Sequence, residues 1–153
     1  MSNGTLGWTP AQTLVFVVGT LEWKHPDIFQ SFPEKNRRDA ALVEFFRGQG
    51  VPDERILYLQ DQQATTAHIQ QALEAHLGRG APGDLLVLYF CGHGAMTDAG
   101  ATYFASYDAD GEHNEGWVVD GIPKTIERCF GGARALLLAD CCYSGSLADA
   151  VGR

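Results

Sequence analysis

The sequence predicts an α/β fold, a three-layer sandwich around a mainly parallel sheet, and three observations predict it. Four short apolar runs are separated by segments with helical periodicity. The runs are nearly continuous rather than alternating, as expected of strands covered on both faces. The 153 residues, 45% apolar and 20% charged, have the make-up of one packed domain rather than of a disordered or fibrous chain.

The elements follow in chain order. Leu14 to Val18, bounded by Gly19, form the core of a strand over 13-19. A long loop through Trp23, Pro26 and Pro33 leads to a helix from Asn36, with Leu42, Val43, Phe45 and Phe46 toward a core and Gly48 and Gly50 as stop signals. Ile56-Leu57-Tyr58-Leu59 give a second strand over 55-60. Thr65 or Thr66 can cap the next helix, whose Ile69, Ala72, Leu73 and Leu77 share one face and which Gly78 and Gly80 close. The third strand, over 84-91, stops abruptly at Cys91-Gly92-His93-Gly94.

From Ala95 to Gly121 the chain turns polar and glycine-rich, an elaborated loop with a small hairpin around Tyr103-Phe104. A helix follows over Ile122 to Phe130, with Pro123 in a helix-starting position. Ala135 to Ala139 make a fourth buried strand over 134-140, ending in Asp140-Cys141-Cys142-Tyr143-Ser144-Gly145. Strands that alternate with helices pair in parallel through right-handed crossovers.

Charge and composition exclude several functions. Eleven basic against nineteen acidic residues give a net charge of -8, which repels nucleic-acid phosphates and anionic lipid. No apolar run reaches the roughly 18 residues that cross a bilayer, and the opening residues lack a basic start followed by an apolar stretch, so a cytoplasmic protein is expected, with neither nucleic acid nor membrane as partner. In that compartment Cys91, Cys129, Cys141 and Cys142 are expected as reduced thiols, and the adjacency of two of them also argues against a disulfide framework. Gly19-Thr-Leu-Glu-Trp lacks both the dinucleotide glycine pattern and the phosphate-loop Gly-Lys-Ser/Thr.

Ligands of open α/β sheets collect beyond the carboxyl ends of the strands. Two such ends carry chemistry here, Gly92-His93-Gly94 and Asp140-Cys141-Cys142. Amide cleavage by a thiol needs a cysteine that becomes thiolate and an imidazole that takes its proton and later returns it to the leaving amine. His93 with a cysteine at the second strand end supplies the pair, and glycines on both sides of His93 let the chain turn sharply and bring a backbone N–H to a substrate carbonyl. Alternation along an extended segment points Cys141 and Cys142 to opposite faces, so only one can meet His93.

Tyr89-Phe-Cys-Gly-His93-Gly94, followed about 50 residues later by a strand ending in a cysteine, resembles the caspase-like cysteine peptidases. Leu138-Ala-Asp140-Cys141-Cys142-Tyr143-Ser144-Gly145 is similar to the Asp-x-Cys-x-Ser-Gly pattern of the metacaspases and their bacterial relatives, and differs from the Gln-Ala-Cys-x-Gly pattern of animal caspases. The resemblance implies Cys142 as nucleophile, His93 as general base and acid, and the N–H groups of Gly94 and Cys142 as oxyanion hole. It implies Asp140 as an acid of the primary specificity pocket, hence a cysteine endopeptidase that cleaves proteins after Arg or Lys. An anionic pocket of that kind rejects Asp by like-charge repulsion. A second pocket acid is expected from the loop after the first strand, where Glu22 and Asp27 are the candidates.

The resemblance further implies roles in bacterial defence or cell-death signalling. It also implies that residues 1-153 form a catalytic large subunit whose sheet is extended by strands of a small subunit from the same precursor. The fourth strand would otherwise be an exposed apolar edge. Arg153, itself of the residue type the pocket selects, is then a candidate processing site, cut by the protease itself or by an upstream activating protease.

Other roles compete at each position. His68 and His76 fall on the second helix and read as packed, hydrogen-bonded residues, and Cys91 and Cys129 as inert core thiols. Asp140 can also cap a turn. No cofactor is expected. Asp108, Asp110 and Glu112 resemble the calcium-binding acidic loops of metacaspases, yet they lack the full EF-hand ligand series and read as a solvated loop. Cys91, His93, Cys141 and Cys142 offer four zinc ligands, but adjacent cysteines rarely both reach one ion. A catalytically silent adaptor on the same fold is the remaining alternative.

Overall fold

The structure, a computed structural model, describes residues 8–141. In chain order it contains β1 (Thr13–Gly19), α1 (Arg38–Gly48), β2 (Ile56–Gln60), α2 (Thr66–Leu77), β3 (Leu85–Cys91), β4 (Gly94–Met96), β5 (Thr102–Phe104), β6 (Trp117–Val118), α3 (Gly121–Cys129) and β7 (Arg134–Asp140). β2, β1, β3 and β7 form one parallel sheet in that order. The fold class and its four strands are those the sequence predicts, with β2 and β3 each starting one residue later. The residues they lose, Arg55 and Asp84, form an ion pair at the amino ends of the strands.

Strand alternation divides the core into the two faces of the sandwich. Leu14, Phe16 and Val18 of β1 and Leu86, Leu88 and Phe90 of β3 pack against Ile69, Leu73 and Leu77 of α2 and Ile122 of α3. Val15, Val17, Val87 and Tyr89 face the other way, against Val43 and Phe46 of α1. Each fully buried Leu, Val or Phe contributes about 1.5–3 kcal/mol relative to exposure, which explains why β1 carries no polar residue between Leu14 and Val18. Thr65 caps α2, accepting from His68 N–H at 3.3 Å, while Thr66 ties the helix to the 106–114 loop through Ser106, Asp108 and Asn114. His76 sits in the core with Nε2 at 2.9 Å from the Val15 carbonyl, and burial pushes its imidazole below the usual value.

Two features differ from the sequence expectation. The expected hairpin is a three-stranded antiparallel sheet, β4-β5-β6, whose Phe104 stacks on Phe90 with ring centroids 4.4 Å apart. The fourth strand, expected to be buried, is only partly covered: β7 is an edge strand, and Leu136 is 48% exposed. Among the described residues nothing pairs with its outer edge. Also among them, no helix is long and apolar enough to cross a membrane.

Candidate active site

The carboxyl ends of the central strands lie in register. Gly19 pairs with Cys91 and Cys91 with Asp140, so the last residues of β1, β3 and β7 form one row. Beyond that row Gly92 N–H reaches Asp140 O at 3.5 Å, and the chain then turns away. Gly92 has a φ of +155°, and a Cβ there would lie 2.9 Å from the Thr20 carbonyl oxygen. Only glycine accommodates both conditions, and the turn delivers His93.

The His93 ring is held by the loop after β1. Its centroid lies 4.3 Å from that of Phe32, 4.6 Å from Trp23 and 5.8 Å from Phe29. Nε2 is 2.8 Å from the Gln30 carbonyl oxygen. A carbonyl only accepts, so Nε2 carries the proton, and in the neutral ring Nδ1 is left as the basic nitrogen. Trp23 is itself fixed, its Nε1–H donating to Ala105 O at 3.1 Å while Ala105 N–H donates to His93 O at 2.8 Å. This last bond makes Gly94 and Phe104, paired in β4 and β5, a non-hydrogen-bonded pair, so the Gly94 N–H is not spent on the ladder.

His93, Gly92 and Cys91 open into a cavity of about 440 Å³ that Phe32, Arg38, Asp140 and Cys141 also line. Asp140 is exposed at its mouth. Burial first, and the carboxylates of Asp39 and Asp140 in addition, push the Cys91 thiol up to about 11, which leaves it protonated and unreactive at neutral pH.

Beside this cavity lies an ion-pair network the sequence did not reveal. Arg37 donates to Asp39 Oδ2 at 2.9 Å and to Asp61, and Tyr58 OH donates to the same Asp39 oxygen at 2.6 Å. Burial works against the Arg37 charge, but the hydrogen bonds to Asp61 and Asp39 outweigh it and hold the guanidinium firmly protonated. Burial likewise opposes ionisation of Asp61, and donation from Arg37 and from the backbone N–H groups of Leu21 and Glu22 keeps its carboxyl below the usual value. Asp39 is fully buried against Gly19, where a Cβ would fall 1.6 Å from its carboxylate oxygen. The carboxylates of Asp39, Asp61 and the exposed Glu34 thus share one guanidinium, and the network is acidic on balance.

The sequence-predicted residues divide accordingly. His93, Asp140 and Cys141 come together at the cavity, with Gly94 the residue after His93. Glu22 and Asp27 are exposed and do not line it. Cys142 and Arg153 lie outside the described residues. Among the described residues no group of three or more His, Cys, Asp or Glu side chains is arranged to hold a metal ion. The acidic loop uses its carboxylates on backbone: Asp108 accepts from Thr66 N–H at 2.9 Å, and Asp110 accepts from the N–H groups of Glu112, His113 and Asn114, each at 2.8 Å. Backbone donors, Asn114 and Glu112 foremost, hold the Asp110 carboxyl down at about 2.

The family model described as "Metacaspase, peptidase C14 domain" matches residues 38–151. Among solved structures, the crystal structure of protein GSU0716 from Geobacter sulfurreducens is similar with a TM-score of 0.61 and 18% identity, over 86% of this chain and 50% of that one. That likeness is one of fold, and the chain spans about half the length of the structure it matches. No curated protein matches the chain.

Proposed function

This chain belongs to the metacaspase peptidase C14 family, and on that premise we propose that it is a cysteine endopeptidase cleaving proteins after Arg or Lys with His93 and Cys142 as its dyad. One observation carries the proposal. Cys91 and Asp140 are partners in the last row of the β3–β7 ladder, and His93 and Cys142 each follow that row by two residues.

In the proposed reaction Nδ1 of His93 takes the Cys142 thiol proton, and the thiolate attacks the scissile carbonyl carbon. The oxyanion that forms would accept hydrogen bonds from the Gly94 and Cys142 N–H groups, backbone donors of the kind that stabilise such a charge. Collapse of the tetrahedral intermediate breaks the C–N bond, His93 returns the proton to the leaving amine, and water then hydrolyses the acyl-enzyme with His93 again as base. While both ring nitrogens carry protons, the Gln30 carbonyl and the faces of Phe32 and Trp23 stabilise the imidazolium. Asp140 attracts the basic side chain before the cut, and the net acidity of the Arg37–Asp39–Asp61 network adds to the same field.

A partner segment that adds a strand would cover the outer edge of β7 and the half-exposed Leu136. Bacterial defence or cell-death signalling is the setting that the family resemblance supports.

An alkylating peptide mimic with arginine at its reactive end tests the reading. Mass spectrometry of the treated full-length protein should find Cys142 modified, and His93→Ala should abolish the modification. Absence of label from Cys142 in the native protein would favour a silent adaptor.

A further inference from the structure

We propose that Arg38 selects an acidic side chain, Asp or Glu, at a second position of the substrate, so that the cavity recognises a peptide bearing both charges. This rests on the reading of the cavity as a peptidase site. In a chain with nineteen acidic residues to pair with, the other arginines among the described residues are all engaged. Arg37, Arg47, Arg55 and Arg128 form ion pairs, Arg79 donates to the Glu54 carbonyl and Arg134 has a partner of its own.

Arg38 has no hydrogen-bond or ion-pair partner among the described residues, is exposed, and lines the cavity that holds His93. The strand order separates it from Asp140: β3, which leads into His93, lies between β7 and β1, and α1, which begins at Arg38, packs against β1 and β3. An extended peptide crossing the cavity therefore meets an anion toward β7 and a cation toward β1. A guanidinium offers a carboxylate two parallel N–H donors, a geometry a lysine or a neutral side chain does not reproduce.

Binding to the full-length Cys142→Ala protein tests this without requiring turnover. Fluorescent peptides carry Arg before the cut, with Asp, Asn or Lys substituted in turn at each neighbouring position, and a parallel set carries Ala in place of that Arg. At one position Asp should bind about tenfold more tightly than Asn, Arg38→Glu should transfer the preference to Lys, and Arg38→Gln should flatten it. In both variants the preference for Arg over Ala before the cut should survive. Equal binding of Asp, Asn and Lys at every position, or an acidic preference that persists in Arg38→Glu and Arg38→Gln, would overturn the assignment and leave the basic-residue reading standing. Loss of the Arg-over-Ala preference with the acidic preference intact would instead overturn the basic-residue reading and uphold Arg38.

Discussion

His93 Nε2 lies 2.8 Å from the backbone carbonyl oxygen of Gln30, a residue 63 positions earlier in the chain. The bond fixes which nitrogen is the base, and three aromatic rings fix the plane of the imidazole around it. Trp23→Leu removes one ring and the Nε1–H bond to Ala105 O together. It should lower kcat on an arginine peptide about tenfold or more, in keeping with the sensitivity of proton transfer to small misplacements, while circular dichroism stays native. An unchanged kcat would show that the cradle does not position the ring.

The Arg37 network should matter for stability. Arg37→Met leaves the buried Asp39 and the largely buried Asp61 without their cation, and breaking such a pair costs about 3–5 kcal/mol. Urea denaturation at pH 7 should show a loss of that size. A loss under about 1 kcal/mol would mean that the two carboxylates are solvated in the native protein.

Asp110 predicts a pH dependence. Its folded carboxyl is depressed to about 2 from an unfolded value near 3.9. The stability it contributes is therefore full above about pH 4 and is lost as the pH falls toward 2. The native protein should have a higher Tm than Asp110→Ala at pH 7, with the gap closing between about pH 4 and pH 2. A gap independent of pH would contradict the assigned hydrogen bonds.

Cys91 shares the cavity with the candidate catalytic residues but should be chemically silent. With its thiol pushed up to about 11, less than one part in a thousand is thiolate at pH 7.5 by simple titration. Iodoacetamide mapping at that pH should leave Cys91 unmodified long after more acidic thiols have reacted, and Cys91→Ala should keep most of the peptidase activity. Alkylation of Cys91 at the rate of the other cysteines would refute this.

The large sheet was legible because each strand is an apolar run enclosed between two helix layers or at the sheet edge, a pattern with no competing helical period. Its ends were legible to within a residue because Arg55 and Asp84 mark them with charge. The small sheet was legible only as a hairpin around Tyr103-Phe104, since strands of two and three residues carry too little period to show all three. At the site, His93 and Asp140 stood out as polar residues terminating apolar strands. Trp23, Phe29 and Phe32 did not, because loop aromatics acquire a role only when the fold brings them to a histidine some 60–70 residues away. Arg37 and Asp39 resembled the solvated start of a helix, and only the close approach at Gly19 shows why that charge is buried. The one available signal was an aspartate preceding the apolar stretch of α1 that has no place on an apolar face.

Cleavage of an arginine-containing peptide by paired cysteine variants of the full-length protein decides which thiol is the nucleophile. Cys142→Ala should abolish cleavage and Cys141→Ala should retain most of it. Loss of cleavage in Cys141→Ala with activity preserved in Cys142→Ala would contradict Cys142 as the nucleophile.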